Sequence, residues 1–293
     1  MMRTLGIVGA GTMGSGIAAV AARAGLTVIL HDANPDALAR AAEMIREGVK
    51  RNPPTDAGDA RDPAAVLSRL TYAPAMEQLS PAGAVIEAAS EDLAVKSDLF
   101  RSLDRIVPSP AILATNTSSL SVTTLSRVVT NPDRVVGMHF FNPPARMDLV
   151  EIVRGGFTSS PTIDAAIALA VAMRKTPVVC RDTPGFIVNR VARPFYGEAL
   201  RLLGEGVAPF EQIDDIVTRS GGFPMGPFAL MDLIGIDINF AVTTSVYEQF
   251  FHEPRFRPHP IQRRMVEAGT LGRKTGRGFY DYPSGPRKEP DRP

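Results

Sequence analysis

The run Gly9-Ala10-Gly11-Thr12-Met13-Gly14 constrains this chain more than any other feature. It follows the short apolar run Leu5–Val8 and precedes small and apolar residues from Ile17 to Ala24. Thr27–Leu30 then reads as a second strand, closed by His31-Asp32. Strand, glycine turn, helix and strand in this order make a βαβ unit. In a G-x-G-x-x-G turn the first glycine, Gly9, permits the tight bend. The second, Gly11, lets a pyrophosphate approach the backbone, and the third, Gly14, lets helix and strand pack closely. The free amides at the helix start, with Thr12 and Met13 among them, and the positive end of the helix dipole then face the phosphates. Asp32 stands where a carboxylate accepts hydrogen bonds from a ribose 2′-OH and repels a 2′-phosphate, so NAD is expected rather than NADP. Two alternatives stay open here: a tight βα turn without a ligand, and an FAD-binding domain, against which the helical second half argues.

Alternation of strands and helices continues along the chain. Ala37–Lys50 is helical by composition, and Arg51–Pro63, rich in Pro, Asp and Gly, reads as a loop. Strands are expected at Ala84–Ala88, Ala111–Thr115, Val135–Phe141, Leu149–Arg154 and Pro177–Val179, with helices at Leu93–Ile106, Leu120–Val129 and Ile163–Met173. Everything after Pro184 reads as helical, with Asp182 or Thr183 as cap and Pro184 in the first helical position. Phe228–Phe250 is long and apolar on most faces, and such a helix needs burial on all sides. The expected fold is an α/β Rossmann-type domain over residues 1–183, followed by an all-α domain over residues 184–293.

Composition narrows the function classes. Lysine plus arginine is 32 and aspartate plus glutamate is 31, a net charge of +1. That balance offers no global field for nucleic acid or an anionic membrane, so neither is an expected partner. The single cysteine, Cys180, rules out an internal disulfide framework. No room for a targeting peptide is expected before the first strand, no apolar run is long enough to span a bilayer, and a cytoplasmic location is expected. No metal site is expected.

Four histidines occur: His31, His139, His252 and His259. His139 lies in Val135–Pro144, and Glu151 follows in the apolar stretch Leu149–Val153. A hairpin centred on Ala145 sets these two residues opposite each other, as a base beside the acid that orients it. Hydride removal from a secondary alcohol needs a base for the hydroxyl proton, and histidine suits that work near neutral pH. The alternative for His139 is a core histidine satisfied by a backbone carbonyl. A glutamate among apolar residues needs a partner in either case. Asn116-Thr117-Ser118-Ser119 follows a strand, where doubly wound folds hold ligands; helix capping before Leu120 is the alternative. Cys180 reads as a strand residue rather than a nucleophile.

At this point the chain resembles the L-3-hydroxyacyl-CoA dehydrogenases. The resemblance rests on Gly9–Gly14 with Asp32, on Glu87–Lys96, Asn116–Ser119 and His139–Pro144 with Glu151, and on Asp182–Arg190, Pro224–Pro227 and Gly272–Tyr280. These segments span nearly the whole chain. The resemblance implies His139 as general base, Glu151 as its orienting carboxylate and Ser118 as the serine on the substrate oxygen. It implies Asn142 near the nicotinamide, Asn189 as the asparagine supplied by the helical domain, and Glu91 and Lys96 as contacts to the cofactor, with Asn116 and Ser118 beside them. It also implies an acyl-CoA substrate and a homodimer built on the helical domain. One departure concerns CoA. Where some members carry a serine and a lysine, this chain has Gly48 and Thr55, with Lys50, Arg51 and Arg61 nearby. The segment around Asp237 resembles the branch acting on 3-hydroxyadipyl-CoA, and the other branch acts on 3-hydroxybutyryl-CoA. The catalytic lysine of the β-hydroxyacid dehydrogenases is missing; a non-catalytic NAD-binding scaffold and a dehydrogenase of another 3-hydroxy acid remain as alternatives.

Overall fold

The computed structural model describes residues 3–51 and 62–282. Thr55 and Arg61 lie outside the described residues, as does most of the expected Arg51–Pro63 loop. The chain divides into two compact units, Met1–Phe186 and Ile187–Pro293.

The first unit is built on an eight-stranded sheet of order β3-β2-β1-β4-β5-β6-β7-β8. Its strands are β1 (Thr4–Val8), β2 (Thr27–His31), β3 (Leu70–Ala73), β4 (Ala84–Glu87), β5 (Ile112–Thr115), β6 (Val135–Phe140), β7 (Leu149–Arg154) and β8 (Thr176–Arg181). The first six run parallel, β7 is antiparallel to β6, and β8 runs parallel to β7. The helices are α1 (Thr12–Arg23), α2 (Pro35–Arg51), α3 (Pro63–Leu67), α4 (Leu93–Ile106), α5 (Val122–Ser126) and α6 (Ser160–Ala172). Alternation along β4 divides the core: Ile86 packs with Ile17, Leu38 and Leu169 on one face, and Val85 packs with Phe100 and Leu103 on the other. Both faces of the central strands are covered by helices, so those strands are continuous apolar runs.

The order reverses at β1, which pairs with β2 on one side and β4 on the other. That is the switch point, and the crevice beyond the carboxyl ends of such strands is where ligands bind in open α/β sheets. Capping side chains start the helices there. Asp92 accepts the Val95 amide at the head of α4, and Ser121 the Thr124 amide at the head of α5.

The second unit contains α7 (Val188–Gly204), α8 (Phe210–Arg219), α9 (Pro227–Ile234), α10 (Ile236–Gln249) and α11 (Pro260–Glu267). Tyr196, Leu200, Phe228, Met231 and Ile236 form its core. Two buried aspartates tie it together. Asp214 accepts the Phe228 and Ala229 amides at the start of α9 and the Tyr280 hydroxyl. Asp232 accepts the Phe279 and Tyr280 amides and the Tyr282 hydroxyl. A Cβ at Gly226 or Gly278 would stand 2.3 or 2.0 Å from these carboxylates, which explains both glycines.

Three sequence expectations need correction. The residues Phe228–Phe250 form two helices bent by 100°, not one. Gly235, at φ 104°, ends α9 and caps α10, and no continuous helix passes through that dihedral. Pro184 does not open a helix either: Gly185 and Phe186 have φ of 72° and 47°, so α7 begins at Val188. Asp182 instead braces the start of α5, accepting from the Ser121 hydroxyl and from the Val122 and Thr123 amides. Finally, α3 and β3 were not foreseen, since β3 is a four-residue, half-buried edge strand without a clear alternating pattern.

Candidate active site

The glycine turn joins β1 to α1 in a conformation that the side chains leave open. Gly9 has φ 100°, and a Cβ there would meet the Ala88 carbonyl oxygen at 2.7 Å. A Cβ at Gly14 would stand 1.8 Å from the Gly9 carbonyl oxygen, so strand and helix touch backbone to backbone. A Cβ at Gly11 meets nothing within 4 Å. Gly11 caps α1 without a side-chain hydrogen bond, and the first bond inside the helix runs from the Ser15 amide to the Gly11 carbonyl. The amides of Thr12, Met13 and Gly14 therefore have no acceptor within the helix. Open space above free amides at a helix N-terminus fits a pyrophosphate. Asp32 accepts from the Ala10 amide at 2.8 Å and the Asn34 amide at 2.9 Å, which ties the end of β2 to the turn. Each oxygen retains a lone pair for a ribose hydroxyl. These residues fit NAD.

Beyond β4 and β5 lies a buried polar network. Glu87 ends β4 fully buried, and Lys96 on α4 is 1% exposed. The Lys96 ammonium donates to Glu87 at 2.6 Å and lies 3.4 Å from Glu91. Thr115 donates to the other Glu87 oxygen at 2.8 Å. Glu91 in turn accepts from the Thr117 hydroxyl at 2.6 Å and the Ser118 amide at 2.8 Å, with the Ser118 hydroxyl at 3.3 Å. Burial pushes the Glu91 carboxyl up, but the Thr117 hydrogen bond, the Lys96 charge and the Ser118 amide outweigh it and hold the group below its ordinary value. Lys96 thus supports Glu91 from beneath. Thr115 was missed in the sequence, Thr117 was noted there only as part of the Asn116–Ser119 run, and Glu87 was noted only as the start of the Glu87–Lys96 segment, although a glutamate ending an apolar strand is itself a signal.

Asn116 accepts the Phe140 amide at 2.9 Å, and its own amide donates to the Glu87 carbonyl. It thereby joins the ends of β4, β5 and β6, leaving its side-chain NH2 as the remaining donor. Asn142 is exposed just beyond β6.

The β6–β7 hairpin has the expected register, with His139 directly opposite Glu151. His139 is 6% exposed and Glu151 1%. His139 Nδ1 lies 2.7 Å from Glu151 Oε2. The Phe141 and Phe186 rings flank the imidazole at 4.6 and 5.8 Å. A carboxylate is an acceptor, so Nδ1 carries a proton, and in the neutral ring Nε2 is then the nitrogen with the lone pair. The backbone-carbonyl arrangement considered for His139 is what His31 adopts, with Nδ1 2.8 Å from the Ala73 carbonyl oxygen. The Cys180 thiol is pushed up to about 12 by burial and by the charges of Glu151 and Asp182, which leaves no thiolate for nucleophilic chemistry.

Asn189, and the three described residues considered for CoA, Gly48, Lys50 and Arg51, all lie on helices. Asn189 is half-buried on α7 in the second unit, where its carbonyl accepts the Arg193 Nε at 3.0 Å. Gly48 on α2 has open space around it, Lys50 is exposed, and Arg51 pairs with Glu47 one turn earlier.

The comparisons agree with this construction. The NAD-binding domain model of 3-hydroxyacyl-CoA dehydrogenase matches residues 4–183, and the C-terminal domain model of the same family matches residues 185–282. A 3-hydroxyadipyl-CoA dehydrogenase of Escherichia coli (strain K12) is 46% identical over 96% of this chain, which spans 59% of that relative's length. A 3-hydroxybutyryl-CoA dehydrogenase of Clostridioides difficile is 38% identical over 95% of this chain and 99% of its own. The crystal structure of (S)-3-hydroxybutyryl-CoA dehydrogenase from Ralstonia eutropha superposes with a TM-score of 0.91 at 41% identity, covering 97% of this chain and all of that one. The chain belongs to the 3-hydroxyacyl-CoA dehydrogenase family, with the NAD-binding domain of that family at its N-terminus.

Proposed function

We propose that this protein catalyses the reversible, NAD-dependent oxidation of an (S)-3-hydroxyacyl-CoA to the 3-oxoacyl-CoA. The observation that carries this reading is the buried His139–Glu151 pair, 2.7 Å apart at the carboxyl edge of the sheet. His139 Nε2 accepts the proton of the 3-hydroxyl as the carbonyl forms. Glu151 holds the imidazole in the tautomer that makes Nε2 the base and stabilises the imidazolium that results. Ser118 and Asn189 hold the reacting oxygen and the substrate; the Ser118 hydroxyl, a free rotor, swings from its long contact with Glu91 to do so. When bound, NAD supplies the acceptor for the electron pair that leaves carbon 3. Gly9, Gly11, Thr12, Met13, Gly14 and Asp32 would hold its adenosine and pyrophosphate part. Glu91, Asn116 and Asn142 would hold the nicotinamide end, with Lys96 beneath Glu91.

The reading includes a cytoplasmic homodimer. Val191, Leu233, Ile234 and Ile238 leave apolar surface exposed on the second unit, which supports self-association there.

The first test is the absorbance change when acetoacetyl-CoA is mixed with NADH and protein. The second is Glu151→Gln, which keeps the shape and removes the charge. Its kcat is expected to fall at least about a hundredfold, the scale of general-base loss, with little change in NADH affinity measured by fluorescence. His139→Asn is expected to be at least as severe, and the double variant no worse than the single ones, because both disable one proton transfer. Near-normal turnover in Glu151→Gln would refute the pair.

A further inference from the structure

Helix α7 buries a cation for which the described residues offer no anion. Arg193 is 4% exposed. Its Nε donates to the Asn189 carbonyl at 3.0 Å, and Nη1 donates to the Asn239 carbonyl at 3.1 Å and to the Thr243 hydroxyl at 2.9 Å. All three acceptors are neutral, and the Tyr196 ring lies beneath the guanidinium, 5.0 Å away. Among the described residues no carboxylate forms an ion pair with it, and burial pushes the group down to about 10. Beside it on α10, Asn239 is 1% exposed and gives its side-chain oxygen to Gln262 at 2.8 Å. The Asn239 side-chain nitrogen is buried without a partner. Burying a charge without a counter-charge, and a donor without an acceptor, are each unfavourable. An acceptor-rich anion would satisfy both groups.

Position on the helix indicates which anion. Arg193 is four residues beyond Asn189, so the two share a face, and its Nε already reaches back to that turn. Four residues advance a helix by about 6 Å. In a six-carbon 3-hydroxy dicarboxylic acid, three carbon–carbon bonds of about 1.5 Å each separate carbon 3 from the far carboxyl carbon, and its oxygens lie one bond further. A substrate held at its reacting end by Asn189 therefore has the reach to place a terminal carboxylate at Arg193. We propose that Arg193 reads a terminal carboxylate on the acyl chain, and that the substrate class is the CoA thioester of a 3-hydroxy dicarboxylic acid, of which 3-hydroxyadipyl-CoA is an example. This rests on the reaction proposed above, with Asn189 at the substrate. A guanidinium pairs with a carboxylate through two parallel hydrogen bonds, which gives direction as well as attraction. A methyl-terminated chain would leave the cation as it stands.

Adipyl-CoA and hexanoyl-CoA carry the same six carbons with and without the terminal carboxylate, and both lack the reacting hydroxyl. Calorimetric titration of the wild-type protein should give adipyl-CoA at least about a tenfold lower Kd, the scale of a charge-assisted hydrogen bond. Equal affinities would overturn the proposal. In Arg193→Met that preference should collapse, and the ratio of kcat/KM for 3-hydroxyadipyl-CoA over 3-hydroxybutyryl-CoA should fall about thirtyfold or more. Arg193→Lys should restore part of it. An unchanged ratio would refute Arg193 as the reader. Equal losses for both thioesters together with dissociation of the protein would refute it too, by assigning the cation to a second copy of the chain. Should Arg193→Met fail to fold, Thr243→Val, which loosens Nη1 and keeps the charge, should narrow the wild-type preference; an undiminished preference counts against the proposal. Failure to turn over any 3-hydroxyacyl-CoA would instead refute the reaction itself, and the titration still reports on the tail.

Discussion

At the scale of single residues, the glycine turn separates two demands that one motif combines. Gly14 is required by the protein itself, because a Cβ there would overlap the Gly9 carbonyl oxygen. Nothing in the described protein requires Gly11, because a Cβ there meets open space, and the proposed requirement is that of the bound cofactor. Gly14→Ala should therefore lower the stability of the ligand-free protein by about 1–3 kcal/mol in urea unfolding, the range of overpacking. Gly11→Ala should leave that stability within about 0.5 kcal/mol. Its NADH affinity should still fall, by roughly tenfold or more, as the methyl group intrudes on the pyrophosphate. Equal effects of the two on unfolding would show that the space above Gly11 is not a ligand's. Asp32→Ser should relax the preference for NAD over NADP, checked by comparing kcat/KM for the two cofactors.

At the scale of elements, the same reasoning applies to junctions. Gly235 is both the end of α9 and the cap of α10 at φ 104°, a conformation that strains any residue with a Cβ. Gly235→Ala should cost about 1–3 kcal/mol, read as a lower midpoint of thermal or urea unfolding. The link between α4 and the start of β6 is ionic. Asp104 accepts from the Thr130 hydroxyl and amide, and Arg134, 5% exposed, pairs with it at 2.8 Å. Burial raises the Asp104 carboxyl, but the Thr130 hydrogen bonds and Arg134 outweigh it, and the group lies below its ordinary value. A carboxylate depressed in the folded state contributes stability that is full above its unfolded value and is lost as pH falls through the folded one. Asp104 and Glu91 both have this sign. Unfolding free energy should therefore decline as pH drops below the ordinary carboxylate range, about pH 4. Asp104→Asn should flatten that acid limb, whereas an unchanged slope would mean that the ion pair carries no pH-dependent stability.

For the whole molecule, the proposed dimer predicts a single species of twice the chain mass in sedimentation at micromolar concentration. Ile238→Glu, which sets a charge on the exposed apolar surface of α10, should shift it to monomer; a monomeric wild type would refute the dimer. Much of the architecture is legible along the chain because its signals are local. The glycine turn, the apolar strands and the period of α4 each depend on neighbours in sequence, and the antiparallel β6–β7 pair follows from two apolar runs about one turn. That pairing sets His139 against Glu151, so the proposed proton-transfer pair is legible too. Edge strand β3 and the α9–α10 bend were not, because a short half-buried strand has no clear period and a glycine inside an apolar run does not announce its dihedral. Sequence by itself determined the fold class, the cofactor turn and the histidine–glutamate pair, all of which rest on contacts between residues close in sequence or matched by one hairpin. Only the tertiary structure decided that Glu87 and Lys96 support Glu91, that Asp182 accepts at the start of α5, and that Arg193 is buried with no anion among the described residues. Burial and partnership of a charge are set by segments distant in sequence, and spacing along a chain carries no record of which of them converge.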